Sequence, residues 1–174
     1  TTISIIFVYE TLQANQAQKQ RWKEMELEQS RTAIILSQVQ PHFLYNVLLG
    51  IKQLCDSNPK KASEALEHLA FYMRRNLNSL TRKQLIPFDE EMCHVNDYLY
   101  LEKMRFEEKL TVVLDLEYTD FFLPAMTVQP IAENAVRWGI TKKKGGGTLT
   151  IKSQLTGEEV MISVMDDGAG FDPN

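Results

Sequence analysis

Cysteine is nearly missing from this chain, with two in 174 residues. Cys55 and Cys93 stand at no metal or disulfide spacing, which argues against a cysteine-stapled or zinc-ribbon scaffold and makes a reducing compartment the simpler reading. Positive charge is not in excess: 19 Lys and Arg against 23 Asp and Glu leave a net charge of −4. With no basic face either, nucleic acid is disfavoured as the main partner. Long apolar runs are also absent. Ile3-Ser4-Ile5-Ile6-Phe7-Val8-Tyr9 is far shorter than the roughly 20 residues a membrane-spanning helix needs. It has neither the charged start nor the cleavage site of a signal peptide. It reads as the cytoplasmic end of a transmembrane helix or, equally, as a helix terminus packed on a partner. The chain has no initiator methionine and stops after Asp172-Pro173-Asn174, so the expectation is a piece of a longer protein. The composition, 44% hydrophobic and 24% charged, suits one compact domain plus a helical extension.

Helix breakers are scarce from Leu12 to Cys55, where Pro41 and Gly50 are the only proline and glycine. Trp22, Met25, Gln29, Thr32, Leu36, Val39 and Phe43 follow alternating steps of three and four, the seam of a coiled coil. Gln29 and Thr32 weaken that seam, and the polar stretch Gln13–Gln20 is not stable as an isolated helix, so a dimer is expected. Pro41 removes a backbone donor and crowds the carbonyl of Ser37, predicting a kink or restart one residue before His42. Beyond the turn Asp56-Ser57-Asn58-Pro59, the residues Ala62, Leu66, Leu69, Met73, Leu77 and Leu80 form a second amphipathic stripe. Two such antiparallel hairpins would make a four-helix bundle. Around His42, Val39, Phe43, Leu44, Val47 and Leu48 point inward, while Gln38, His42, Tyr45 and Leu49 face out.

The pattern changes near Thr81 to Pro87, where a domain boundary is expected. Pro87-Phe88-Asp89-Glu90-Glu91 has the proline and acids of a helix start, and the helix should run to about Glu107. Leu110–Leu116 alternates as a strand. Met126 to Trp138 reads as a buried helix capped by Gly139. Thr148–Gln154 and Val160–Met165 are strands joined at Thr156-Gly157-Glu158. The fold class is therefore α+β: a long coiled-coil helix (1–36), a dimerising helical hairpin (37–82) and a mixed α/β layer (83–174).

Three local patterns carry chemistry. His42 offers an imidazole nucleophile on an outward helix face. Asn134 suits magnesium, which takes one or two protein oxygens and completes its shell with water and phosphate. Asp166 ends a strand before Gly168 and Gly170; its carboxylate can accept from an adenine amino group while the glycines let backbone approach the base. Taken alone, Glu-Asn-Ala or Asp-x-Gly-x-Gly is better explained by a helix and a strand with a glycine turn. In this order, behind Pro-His, they suggest ATP-dependent phosphorylation of His42.

Pro41-His42-Phe43-Leu44-Tyr45-Asn46, then Tyr98 through Glu102-x-x-Arg105-Phe106, then Gln129-Pro130-Ile131-x-Glu133-Asn134-Ala135, then Asp166-x-Gly168-x-Gly170 resemble sensor histidine kinases of the LytS/YesM type. The likeness runs from about Ser37 to Phe171. It implies that His42 is the phosphoacceptor, Asn134 the magnesium ligand and Asp166 the adenine-recognising acid of a Bergerat-type ATP domain, with Gly168 and Gly170 shaping the pocket. It implies ATP and Mg2+ as cofactors, a homodimer, a response-regulator receiver domain as partner, and the cytoplasmic portion of a bacterial membrane protein anchored through segments upstream of residue 1. The second glycine box and the lid of that ATP domain would lie beyond Asn174.

This chain departs from the pattern in two places. Trp138 stands where the family commonly has histidine, and Phe43 stands where many histidine kinases have a proton-accepting acid. Glu133 is a candidate for that acid, or equally for tuning the metal site. Arg137, one turn after Asn134, would steady a phosphate or make a surface ion pair. Asn46, one turn after His42, could orient a water for the reverse reaction. That is the alternative reading: a signalling dimer with a degenerate ATP site, acting as scaffold or phosphatase. His68 and His94 read as surface or packing residues, Lys142-Lys143-Lys144 as a solvated turn, and Glu102 with Arg105 as a helix pair.

Overall fold

The computed structural model of the chain describes residues 41–79 and 84–170. The seam from Trp22 to Val39, the polar stretch Gln13–Gln20, the apolar start and Leu80 lie outside the described residues. Helix α1 (Pro41–Ser57) is followed at once by α2 (Pro59–Ser79). Asn58 makes the junction. Its side-chain oxygen accepts from the Lys61 amide at 3.1 Å, and Pro59 fills the first helical position, where no amide donor is needed.

The buried face of α1 is Phe43, Val47 and Ile51; that of α2 is Ala62, Ala65, Leu69, Tyr72 and Asn76. The stripe expected on α2 divides in two. Ala62 and Leu69 are inside, but Leu66 and Leu77 are each 48% exposed and Met73 is 37% exposed. Two apolar stripes run side by side on this helix. The one with the small residues Ala62 and Ala65 faces the chain's own core, because it permits close approach. Leu48, expected inside on α1, is likewise exposed, and His42, Tyr45 and Leu49 face out as expected.

Strand β1 (Leu85–Pro87) pairs antiparallel with β3 (Phe122–Pro124), setting Ile86 opposite Leu123. Between them lie α3 (Phe88–Phe106), a 3-10 turn (Glu107–Lys109) and β2 (Leu110–Leu116). After β3 come a short helix α4 (Gln129–Asn134), a π-helical turn (Ala135–Gly139) and a 3-10 turn (Ile140–Lys142). Strands β4 (Gly147–Thr156) and β5 (Glu159–Asp166) form a hairpin whose turn places Gly157 at φ 67°. The sheet order is β2-β4-β5, with β2 parallel and β5 antiparallel to β4. Leu149, Ile151 and Ser153 of β4 are fully buried.

The described residues are thus an α+β arrangement of helices and mixed sheets. One core joins hairpin to α/β layer. Phe43 packs on Tyr72 and Tyr98 with ring centroids at 5.1 and 5.4 Å. His68 of α2 lies 2.8 Å from Asp97 of α3, whose other oxygen meets Arg75 at 3.0 Å. Among the described residues no helix is long and apolar enough to cross a membrane.

The single helix expected from Met126 to Trp138 is not formed. Glu91, fully buried, accepts from the amides of Met126 (3.0 Å), Val128 (2.8 Å) and Gln129 (3.2 Å). Those amides are held in a turn, with Met126 at φ 64°, so the helix starts only at Gln129. Its far end widens into the π turn, and Trp138 is 54% exposed rather than buried.

Candidate functional site

Asp166 is the last residue of β5, and the chain turns sharply after it. The Gly168 amide donates to Asp166 Oδ1 at 2.9 Å, and the Ala169 amide donates to the Gly139 carbonyl at 3.0 Å. The two glycine backbones approach so closely that a Cβ on Gly168 would collide with the Gly139 backbone, and one on Gly139 with the Asp166 carboxylate. The next acid is tied down differently. Asp167 Oδ1 accepts from the Thr148 amide at 2.7 Å, and Lys143 Nζ donates to the Asp167 carbonyl at 2.7 Å. The Thr148 amide first, and Lys143 after it, hold the Asp167 carboxyl below the usual carboxylate range. Asp167 is therefore an anchor, while Oδ2 of Asp166 has no protein partner among the described residues.

Between this turn and the α4–π segment lies an open cleft of about 350 Å³. Ile131, Asn134, Ala135, Trp138 and Gly139 form one wall; Val164, Asp166 and Gly170 form the other. The structure thus brings Asn134, Asp166 and Gly170 together, while Gly168, against the Gly139 backbone, is not among the lining residues. The volume is at the low end of small-molecule sites, and the lining, mostly apolar with a few polar groups, is typical of one. Asn134 is exposed, and its amide has no partner among the described residues. No group of three or more His, Cys, Asp or Glu able to hold a metal occurs among the described residues. Trp138 is flanked by two cations, Arg137 at 4.7 Å and Lys142 at 5.5 Å from its ring centre. Arg137 itself does not line the cleft.

Two expected site residues stand apart. His42 is exposed near the start of α1, with Asn46 Nδ2 at 3.2 Å from Nδ1 and 3.3 Å from Nε2. None of the cleft-lining residues comes from α1 or α2. Glu133 points away from the cleft. It accepts from Gln129 Nε2 at 2.8 Å and from the Tyr72 hydroxyl at 3.4 Å.

Sequence reasoning missed Glu91 and Gln129. Glu91 sits in Asp89-Glu90-Glu91, where all three acids compensate the α3 dipole, and nothing local marks one of them as fully buried. Nearby, Glu102 meets Arg105 Nη1 with both oxygens at 3.2 Å. Burial pushes its carboxyl up to about 7, against the opposing pull of Arg105 and of a Tyr98 hydrogen bond. Burial also pushes the Tyr72 and Tyr98 phenols up and the His94 imidazole down.

Residues 30–110 match the family model of the histidine kinases. The chain is 41% identical over 144 residues to YwpD, an uncharacterized protein of Bacillus subtilis (strain 168), covering 81% of this chain and 51% of that protein. It is 37% identical over 138 residues to sensor histidine kinase YpdA of Escherichia coli (strain K12), covering 79% and 24% respectively. Over 153 residues it is 31% identical to sensor histidine kinase YesM of Bacillus subtilis (strain 168), covering 86% and 26%. The chain spans about half the length of the first of these and about a quarter of the other two.

Proposed function

Because the chain belongs to the histidine kinases of the LytS/YesM type, we propose that it phosphorylates its own His42 with Mg-ATP and passes the phosphoryl group to an aspartate of a response regulator. The observation that carries this reading is the meeting of Asn134, Asp166 and Gly170 around one cleft. The free oxygen of Asp166 would accept from the adenine 6-amino group, and the close backbone of Gly139 and Gly168 would seat the ring. Asn134 would hold the magnesium ion, which when bound neutralises phosphate charge. The other residues act through position. Arg137 and Lys142, stacked on Trp138, would put positive charge beside the phosphate end. His42, exposed on its hairpin, would present a ring nitrogen to the γ-phosphoryl group and later to the regulator. The parallel β2–β4 pair with a helix between supports a Bergerat-type ATP domain from residue 83 on. The exposed stripe of Leu66, Met73 and Leu77 supports a dimeric four-helix bundle over residues 37–82, which in our reading stands at the cytoplasmic side of a bacterial membrane.

The test is incubation of the full-length protein with γ-labelled ATP. Acid-labile, base-stable label that disappears in His42→Gln is the expected result. Label retained in that variant sinks the assignment.

One observation favours a second reading. The Asn46 amide lies within 3.2 Å of the His42 ring, where it could orient a water for removing phosphate from the regulator. Under that reading the wild type takes no label but accelerates loss of phosphate from a phosphorylated regulator.

A further inference from the structure

Tyr72, Asn76, Gln129 and Glu133 close a ring of hydrogen bonds. The Tyr72 hydroxyl donates to Glu133 Oε1 at 3.4 Å. Gln129 Nε2 is shared between that same oxygen, at 2.8 Å, and Asn76 Oδ1, at 3.0 Å. A hydrogen bond between Asn76 and the Tyr72 hydroxyl completes the circuit. Two members come from α2 and two from α4, 53 positions apart at the Asn76–Gln129 step. Tyr72, Asn76 and Gln129 are buried, at 2%, 5% and 1% exposure.

The position of the ring matters more than its bonds. Phe43, next to His42, packs on Tyr72; Glu133 is next to Asn134. One short path of side chains therefore links the neighbour of the phosphoacceptor to the neighbour of the metal-side asparagine. An apolar contact of the same shape would join the two helices at no desolvation cost. A polar ring instead fixes one docking position while it is complete, and it can exchange its partners for water when the helices part. In the docked position no described residue of the hairpin borders the cleft.

Resting on the kinase reading above, we propose that Gln129 and Glu133 are positioning residues: with Tyr72 and Asn76 they form a clasp that holds the hairpin where His42 cannot receive phosphate, and the clasp opens before transfer. This gives Glu133 a task other than proton acceptance.

The experiment compares full-length wild type with Tyr72→Phe, which removes one hydroxyl and keeps the ring packing, and with Asn76→Leu. Two readouts are taken: the initial labelling rate against ATP concentration, and hydrogen exchange of the α2 amides. Both variants are expected to label about three- to tenfold faster, the range of one net hydrogen bond, with an unchanged KM for ATP and faster exchange in α2. An unchanged or slower labelling rate in Tyr72→Phe overturns the clasp as a brake. If the wild type takes no label, the kinase reading falls, and exchange alone decides the clasp. Faster α2 exchange in Tyr72→Phe then supports it, and equal exchange overturns it.

Discussion

Glu102 shows how burial turns one side chain into a pH-dependent element of the fold. It is 4% exposed, and its carboxyl is pushed up to about 7, by burial first and by the nearby Glu133 least. Below the ordinary carboxyl value both folded and unfolded chains hold the proton, so the group is neutral in its effect. As pH rises from there to about 7 the unfolded chain gives up the proton while the folded chain keeps it on a buried acid. Stability is therefore lost across that window, by roughly 3 kcal/mol for a shift of this size. Glu102→Gln should flatten this limb, raising Tm at pH 8 while leaving Tm at pH 5 nearly unchanged. Equal pH dependence in wild type and variant would refute it. Asn134 offers the opposite case, exposed and without protein partners. Asn134→Ala should leave the melting curve alone and cut autophosphorylation by about 100-fold, as loss of one electrostatic contact can. Near-normal labelling would remove Asn134 from the site. His42, Asn134 and Asp166 were picked out as candidates because their signals are local: a neighbouring proline, a neighbouring acid, two following glycines. Gln129 was not, because its partner Asn76 lies 53 positions away.

Among the elements, α4 depends on a residue outside itself. Glu91 supplies the acceptor for three amides at its start. Glu91→Ala would leave them buried and unpaired, at about 1–3 kcal/mol each. Loss of several kcal/mol in denaturant unfolding is expected, with early exchange of amides 126–134. A loss below about 1 kcal/mol would mean that water replaces the carboxylate. The strands β2, β4 and β5 were legible from alternation, with ends within two residues of those found. Strands β1 and β3 were not, since three residues cannot display a period of two. The π turn had no signal either, because an apolar run reads alike in α and π geometry.

At the scale of the molecule, the core leaves an apolar stripe of α2 uncovered. Leu66, Met73 and Leu77 are between 37% and 48% exposed on α2, with Leu48 and Leu49 exposed on α1. A second copy of the hairpin is the proposed cover. Leu66→Glu should shift the mass measured by light scattering from dimer to monomer without lowering the stability of the monomer, since the side chain is already half in water. A dimer persisting in that variant would place the interface elsewhere. The choice between the two stripes of α2 was not legible, because both have helical spacing. Residue size decided it, and size acts only once α3 is in place.

Behind the cleft wall main chain meets main chain, where Gly139 and Gly168 leave no room for a Cβ on either. An inhibitor built on contacts to Gly139, which lines the cleft, would touch a surface that point mutation cannot easily remodel, because any side chain introduced there collides with the Asp166 carboxylate. Resistance would have to arise at the rim, at Ile131 or Trp138. The durable part of such a compound is the part that lies against Gly139.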